Sequence, residues 1–204
     1  MSDYIVESFD HNGCLVTIYP DDLNESPREW CNLGEMVCWH RGYDLGDRQP
    51  NDREKDALGR GGLPLLERYL RLCEGATVVI PLGLLDHSGI SMYAGGGAHW
   101  SDAAGWDSGT VGFIFDTPYG REQCGTPLEL VEECLRQEIK VFDQYLTGDV
   151  YFYAVERGDQ YDSCGGLYGL DYAIAEAKTA ADYINRAYLV NIEPPDMAEI
   201  LGGA

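Results

Sequence analysis

Positive charge is what this chain most lacks. Across 204 residues, 14 Lys+Arg stand against 35 Asp+Glu, a formal net charge of −21 with a sequence pI near 4.3. A surplus of that size repels phosphate backbones and anionic lipid, so direct binding to nucleic acid or to a membrane is not expected, and a charged partner should be basic. Long hydrophobic runs are missing as well. No stretch approaches the roughly 18 apolar residues of a membrane span, and the N-terminal residues have neither a basic start nor an apolar core, so no span and no signal peptide is expected. Cysteine pairing is absent too: the seven cysteines at 14, 31, 38, 73, 124, 134 and 164 are odd in number, scattered and free of CxxC. Reduced thiols, buried at Cys38 and Cys73, fit this better than a disulfide framework, and a cytoplasmic location follows as the default. Gly-x-Gly-x-x-Gly and P-loop patterns do not occur, so no cofactor is expected. Repeats and low-complexity segments are lacking, and a 45% apolar fraction is enough for the core of a single domain over 1–204.

What is present reads as α+β: a largely antiparallel sheet with two or three helices packed on it. Tyr4–Phe9 and Cys14–Tyr19 are β-rich runs flanking Asn12-Gly13, the pair that supplies the positive φ angles of a tight hairpin. Ser26-Pro27 caps a short helical turn carrying Trp30, Glu35–His40 suits a strand, and the polar stretch 41–62 reads as an exposed loop. Apolar positions at 65, 66, 69, 70 and 73 predict a helix over 63–73. Three apolar runs between Gly75 and Phe115 predict strands, in a segment without Lys or Arg, and residues 116–125 read as a turn. Leu128, Val131, Leu135, Ile139, Phe142 and Leu146 predict a helix over 127–147, Val150–Val155 a strand, and Ile174, Ala177, Ala181, Ile184 and Tyr188 a helix over 171–189. The tail at 190–204 is weakly specified.

Four constellations could carry chemistry. Asp86-His87-Ser88-Gly89 and Asp107-Ser108-Gly109 each end an apolar run; His87 could act as a general base oriented by Asp86 or Asp107 with a serine nucleophile, or both could be Asx and Ser turns satisfying local amides. Cys164, in Asp162-Ser163-Cys164-Gly165-Gly166, could be a thiolate nucleophile or a small residue at a strand-to-loop junction. Cys38-x-His40 is the only close Cys/His pair, too little for zinc, so no metal is expected. The fourth is the acidic surface: Glu129, Glu132, Glu133, Glu138 and Asp143 on the outer face of the 127–147 helix, followed by Asp149, Glu156 and Asp159. Such a row either imitates phosphates in a nucleic-acid-binding groove or is a solvated face.

Several of these pieces occur together in a recognisable order: Ser26-Pro-Arg-Glu-Trp30, Val37-Cys-Trp-His40, Tyr43-Asp-Leu-Gly-Asp47, Asp86-His-Ser-Gly89, Trp106-Asp-Ser-Gly109, Asp143-Gln-Tyr-Leu-Thr-Gly148 and Asp162-Ser-Cys164. In them the chain resembles a group of uncharacterised proteins from bacteriophages and other mobile elements, departing from it at Gly165 and over 94–97. The resemblance implies an accessory protein acting inside a bacterial host cell. Joined to the charge, it leads to the expectation of an anti-defence inhibitor, of anti-CRISPR or anti-restriction type, whose partner is a basic host protein such as a nucleic-acid-binding nuclease complex. The alternative is a small hydrolase or transferase using His87 with Asp86 or Asp107 and Ser88 or Cys164.

Overall fold

The computed structural model describes residues 4–22, 25–102 and 104–191. The expected tail lies outside the described residues from position 192 onward. In chain order the elements are β1 (Glu7–His11), β2 (Cys14–Pro20), β3 (Gly34–Cys38), α1 (Asp52–Cys73), β4 (Val79–Asp86), β5 (Ile90–Ala94) and β6 (Ser108–Asp116). They continue with α2 (Pro118–Cys124), α3 (Val131–Thr147), β7 (Val150–Arg157), β8 (Gln160–Tyr168) and α4 (Leu170–Asn191). The architecture is α+β, with two four-stranded antiparallel sheets and four α-helices among the described residues. The chain gathers into two compact units, one made of Met1–Asn24 and Gly148–Ala204, the other of Glu25–Thr147.

The first unit is a sheet of order β1-β2-β7-β8 backed by α4. Its hairpin turns at Asn12 and Gly13, both with positive φ, as the sequence requires for a two-residue turn. Alternate residues of the strands, Cys14, Val16 and Ile18 on β2 with Tyr153 and Val155 on β7, point to α4. There Ala173, Ala177 and Ala181, one turn apart, keep the helix close to the sheet, and Ile184 closes the core. The Asp162-to-Gly166 segment is part of β8, not a strand-to-loop junction. The β7–β8 ladder shifts register between Tyr151 and Tyr153, Gly166 takes φ +68°, and its amide donates to Asp21 Oδ2 at 2.8 Å. A Cβ on Gly165 would stand 2.7 Å from that same oxygen, so the glycine pair makes a bulge with a carboxylate clamped over it.

The second unit is a three-layer sandwich around a sheet of order β3-β6-β4-β5. Strand alternation sends Met36, Cys38, Ile80, Leu82 and Ile114 to one face, where Val131, Leu135, Ile139 and Phe142 of α3 cover them. Val37, Val79, Phe113 and Phe115 point to the other face, against Leu66 and Leu70 of α1. Two segments differ from expectation. The stretch 41–62 is a loop only as far as Asn51, which caps α1: its side chain accepts from the Arg53 and Glu54 amides while Glu54 reaches back to the Asn51 amide. Helix then runs on to a kink at Gly62, at φ +65°, beyond which Pro64 sits in a new first turn where its missing N–H costs little. Of the predicted stripe in this helix only Leu66 and Leu70 are buried; Cys73, expected inside, is exposed. Residues 118–124, read as part of a turn, form α2, capped by the Thr117 hydroxyl and stopped by Gly125 in the left-handed conformation. α3 starts at Val131, after a 3-10 turn at Leu128–Leu130.

Polar side chains fasten this unit at three buried points. Arg28, only 6% exposed, forks onto Asp47 through Nε (2.9 Å) and Nη2 (2.6 Å), donates to Glu138 through Nη1 (2.9 Å), and reaches the Gly34 carbonyl. Burial alone would pull the guanidinium down, but Asp47 and Glu138 outweigh it and hold Arg28 above its ordinary value. Arg48 grips the fully buried Glu54 with two nitrogens and pairs also with Glu35. Asp116, also fully buried, pairs with Arg121 and accepts from the Thr77 and Val78 amides and the Thr77 hydroxyl.

Candidate functional site

The turn after β4 is built from its own backbone. His87 N–H donates to the Gly89 carbonyl, Ser88 takes φ +60°, and Asp86 N–H donates to the Asp107 carbonyl at 2.7 Å, which ties the two Asp-bearing turns together. Their side chains meet in consequence: His87 Nδ1 lies 2.9 Å from Asp107 Oδ2, and the Tyr43 hydroxyl donates to Asp86 Oδ1 at 3.2 Å. The Asp86 charge, and then this bond, push the Tyr43 hydroxyl above its usual value, and the His40 ring stacks on Tyr43. Asp86, His87 and Asp107 are thus neighbours, as a base-and-orienter pair would require. His87 is 71% exposed, however, and a cavity of about 530 Å³ in the same unit lies elsewhere, against the two arms of α1 and lined by Arg53, Leu65, Arg68 and Tyr69. Cys164 belongs to the other unit, on exposed β8 opposite Tyr153.

The loop joining β5 to β6 carries His99, Trp100 and Trp106. Gly95 N–H donates to the Pro81 carbonyl and Gly97 N–H to Thr110 Oγ1, so the chain creeps back over the sheet where a Cβ on Gly96 would meet Thr110 at 2.9 Å. Gly83 leaves room for the Tyr93 ring, whose hydroxyl donates to the Gly97 carbonyl, and His99 packs between Tyr93 and Trp100. Asp102 is the fastener. It accepts from the Trp106 and Asp107 amides and the Ser108 hydroxyl, while Ser108 Oγ accepts from the His99 amide. The Ser108 hydroxyl first, and the Asp107 amide next, hold the Asp102 carboxyl below the usual carboxylate range. Its support for the loop is therefore complete above the ordinary carboxylate pKa and disappears only as pH falls through the depressed value.

The acidic face divides between roles and between units. Glu129, Glu132 and Glu133 are exposed near the start of α3, where Glu132 pairs with Arg136 and Glu133 accepts from Gln137. Two members are not on an outer face: Asp143 accepts from the Ser91 hydroxyl and the Met92 amide, bracing β5, and Glu138 is the partner of Arg28 that also receives the Leu33 and Gly34 amides. Helical spacing placed both outside because their partners lie on β5 and ahead of β3, remote in sequence. Asp149, Glu156 and Asp159 belong to the first unit, whose only cations are Arg157, Lys178 and Arg186. Each of these is turned to its own fold: Arg157 donates to the Asn12 carbonyl and Asn185 and lies over Tyr188, Lys178 lies over Phe9, and Arg186 donates to the Asp182 carbonyl. Glu156 and Asp159 are exposed.

Cys38 is buried in β3, and burial followed by the Asp47 charge pushes its thiol up to about 12; His40 accepts from the Gly42 amide. Among the described residues no group of three His, Cys, Asp or Glu side chains could hold a metal ion, and no helix is long and apolar enough to cross a membrane. No family model matches the sequence, and neither a curated protein nor a solved structure matches it.

Proposed function

We propose that the chain is an accessory protein of a bacteriophage or related mobile element, acting in the host cytoplasm by binding a basic protein surface. The natural target of such a surface is a nucleic-acid-binding defence complex, a CRISPR effector or a restriction enzyme, whose groove gains energy from polyanions whatever carries the charge. The observation that supports this reading is the uncompensated carboxylate surface of the first unit, where all three cations are occupied within the fold and Glu156 and Asp159 face solvent. The test is displacement of labelled DNA from a purified effector by the intact protein across a salt series. Between about 50 and 300 mM salt the inhibitory affinity should fall at least about tenfold, and Glu156→Lys with Asp159→Lys should weaken it at low salt without changing Tm. Inhibition indifferent to both salt and charge reversal would argue against phosphate mimicry.

A second reading rests on the hydrogen bond between His87 and Asp107. In a small hydrolase or transferase His87 would be the base, Asp107 its orienter, and Ser88 the nucleophile; Cys164, in the other unit, is not part of this group. Hydrolysis of an activated ester such as p-nitrophenyl acetate should then drop at least about a hundredfold in His87→Ala, the range a positioned general base supplies. A rate equal to that of the unaltered protein would sink it.

A further inference from the structure

Trp100 and Trp106 are 87% and 86% exposed, the two most exposed large hydrophobic side chains among the described residues. A single exposed apolar residue needs no explanation, but two indoles on one loop do, since water is the least favourable surrounding available to them. The described residues on both sides of position 103 are tied to the fold. Asp102 holds the Trp106 and Asp107 amides and Ser108, Ser108 holds His99, and His99 packs between Tyr93 and Trp100. Rings carried by backbone tied down in this way lose less freedom on being covered, which is the condition under which tryptophans anchor interfaces.

The surroundings select what could cover them. The turn-and-loop segment 86–107 contains Asp86, Asp102 and Asp107 and no Lys or Arg; Arg41 is the only cation in the adjoining 39–47 loop. Nucleobases stack on indoles, but they arrive attached to phosphates, which these carboxylates repel; anionic headgroups meet the same barrier. A guanidinium satisfies both features at once, because its flat face stacks on an indole while its edge donates to a carboxylate. We propose that the Trp100–Trp106 loop is a docking surface for an arginine-bearing segment of a partner protein. The inference rests on the reading that the partner is basic, and adds to it a second, aromatic contact with a preference for arginine over lysine.

The test uses the intact protein and two synthetic probes, nona-arginine and nona-lysine peptides, in calorimetric titrations. The unaltered protein should bind nona-arginine more tightly than nona-lysine, and the charge-neutral double variant Trp100→Ala/Trp106→Ala, with its Tm unchanged, should lose at least about tenfold toward nona-arginine and most of the preference. Equal binding of nona-arginine by both proteins overturns the docking surface while leaving the charge-driven reading intact. Failure of the unaltered protein to bind either peptide at low salt overturns both. Tryptophan-dependent binding to phosphatidylcholine vesicles or to an oligothymidine, with none to nona-arginine, assigns the loop to lipid or to nucleobases and overturns the proposal as well.

Discussion

Arg28→Ala is expected to remove about 3–5 kcal/mol of stability, the cost of breaking a buried charge cluster from one side. Folded domains hold only about 5–15 kcal/mol in reserve, so the change should remove between about a fifth and all of it. The reason lies in what would be left behind. Asp47 and Glu138 stand 24% and 16% exposed and face the same guanidinium; without it they confront each other across a vacated space. Both also position backbone, Asp47 through the Met36 amide and Glu138 through the Leu33 and Gly34 amides, so the register of β3 against β6 depends on where the arginine draws them. Arg28→Lys should recover part of the loss, because an ammonium keeps the charge but cannot fork onto Asp47 and reach Glu138 together. Urea midpoints of the two variants measure the difference, and an alanine variant within about 0.5 kcal/mol of the parent would show that the cluster contributes nothing net.

Asp116→Asn carries the second large effect, about 3 kcal/mol or more. The change is nearly isosteric, so it isolates charge from packing. Asp116 has no exposure and four donors: the Thr77 and Val78 amides, the Thr77 hydroxyl and Arg121. An amide group presents one oxygen where the carboxylate presented two, and turns an NH2 toward a donor. Arg121 is left without its counter-charge in a place where its side chain is 18% exposed. Because these bonds join the end of β6 to the entry of β4, the amides of Thr77 and Val78 should lose hydrogen-exchange protection before the rest of the sheet does. Uniform loss of protection, or none, would contradict this local role.

Both sites bear on how much the sequence disclosed. Short-range patterns were legible: Asn12-Gly13 marks its hairpin because few other pairs accept two positive φ angles, and the stripe from Val131 to Phe142 marks a helix because nothing else repeats that way. The start of α1 was hidden because Asn51 and Glu54 sit in a run of charges that looks like loop, and a capping box is informative only when its glutamate is known to be withdrawn from water. Acidic residues were the hardest to read. Glu138, Asp143, Asp116 and Glu54 look like surface in a chain with 35 Asp+Glu, yet each is bound to amides or arginines brought up by folding. For the site, the turn residues Asp86, His87 and Asp107 announced themselves, whereas the aromatic loop did not, because glycines at 95–97 signal freedom in sequence and close approach in the fold.

The bulge in β8 has a bearing on how copies of this protein behave toward one another. β8 is an edge strand, with Tyr161 to Gly166 open to solvent, and an unpaired strand edge is a template on which another chain can pair. Here the template is spoiled: the register slips at Tyr151/Tyr153, and two consecutive glycines, one held at φ +68° with its amide bonded to Asp21, break the regular strand. With Asp162 on the same edge and −21 on the whole chain, two such edges approaching each other meet repulsion before they meet a partner. Copies of this chain are thereby discouraged from pairing through β8.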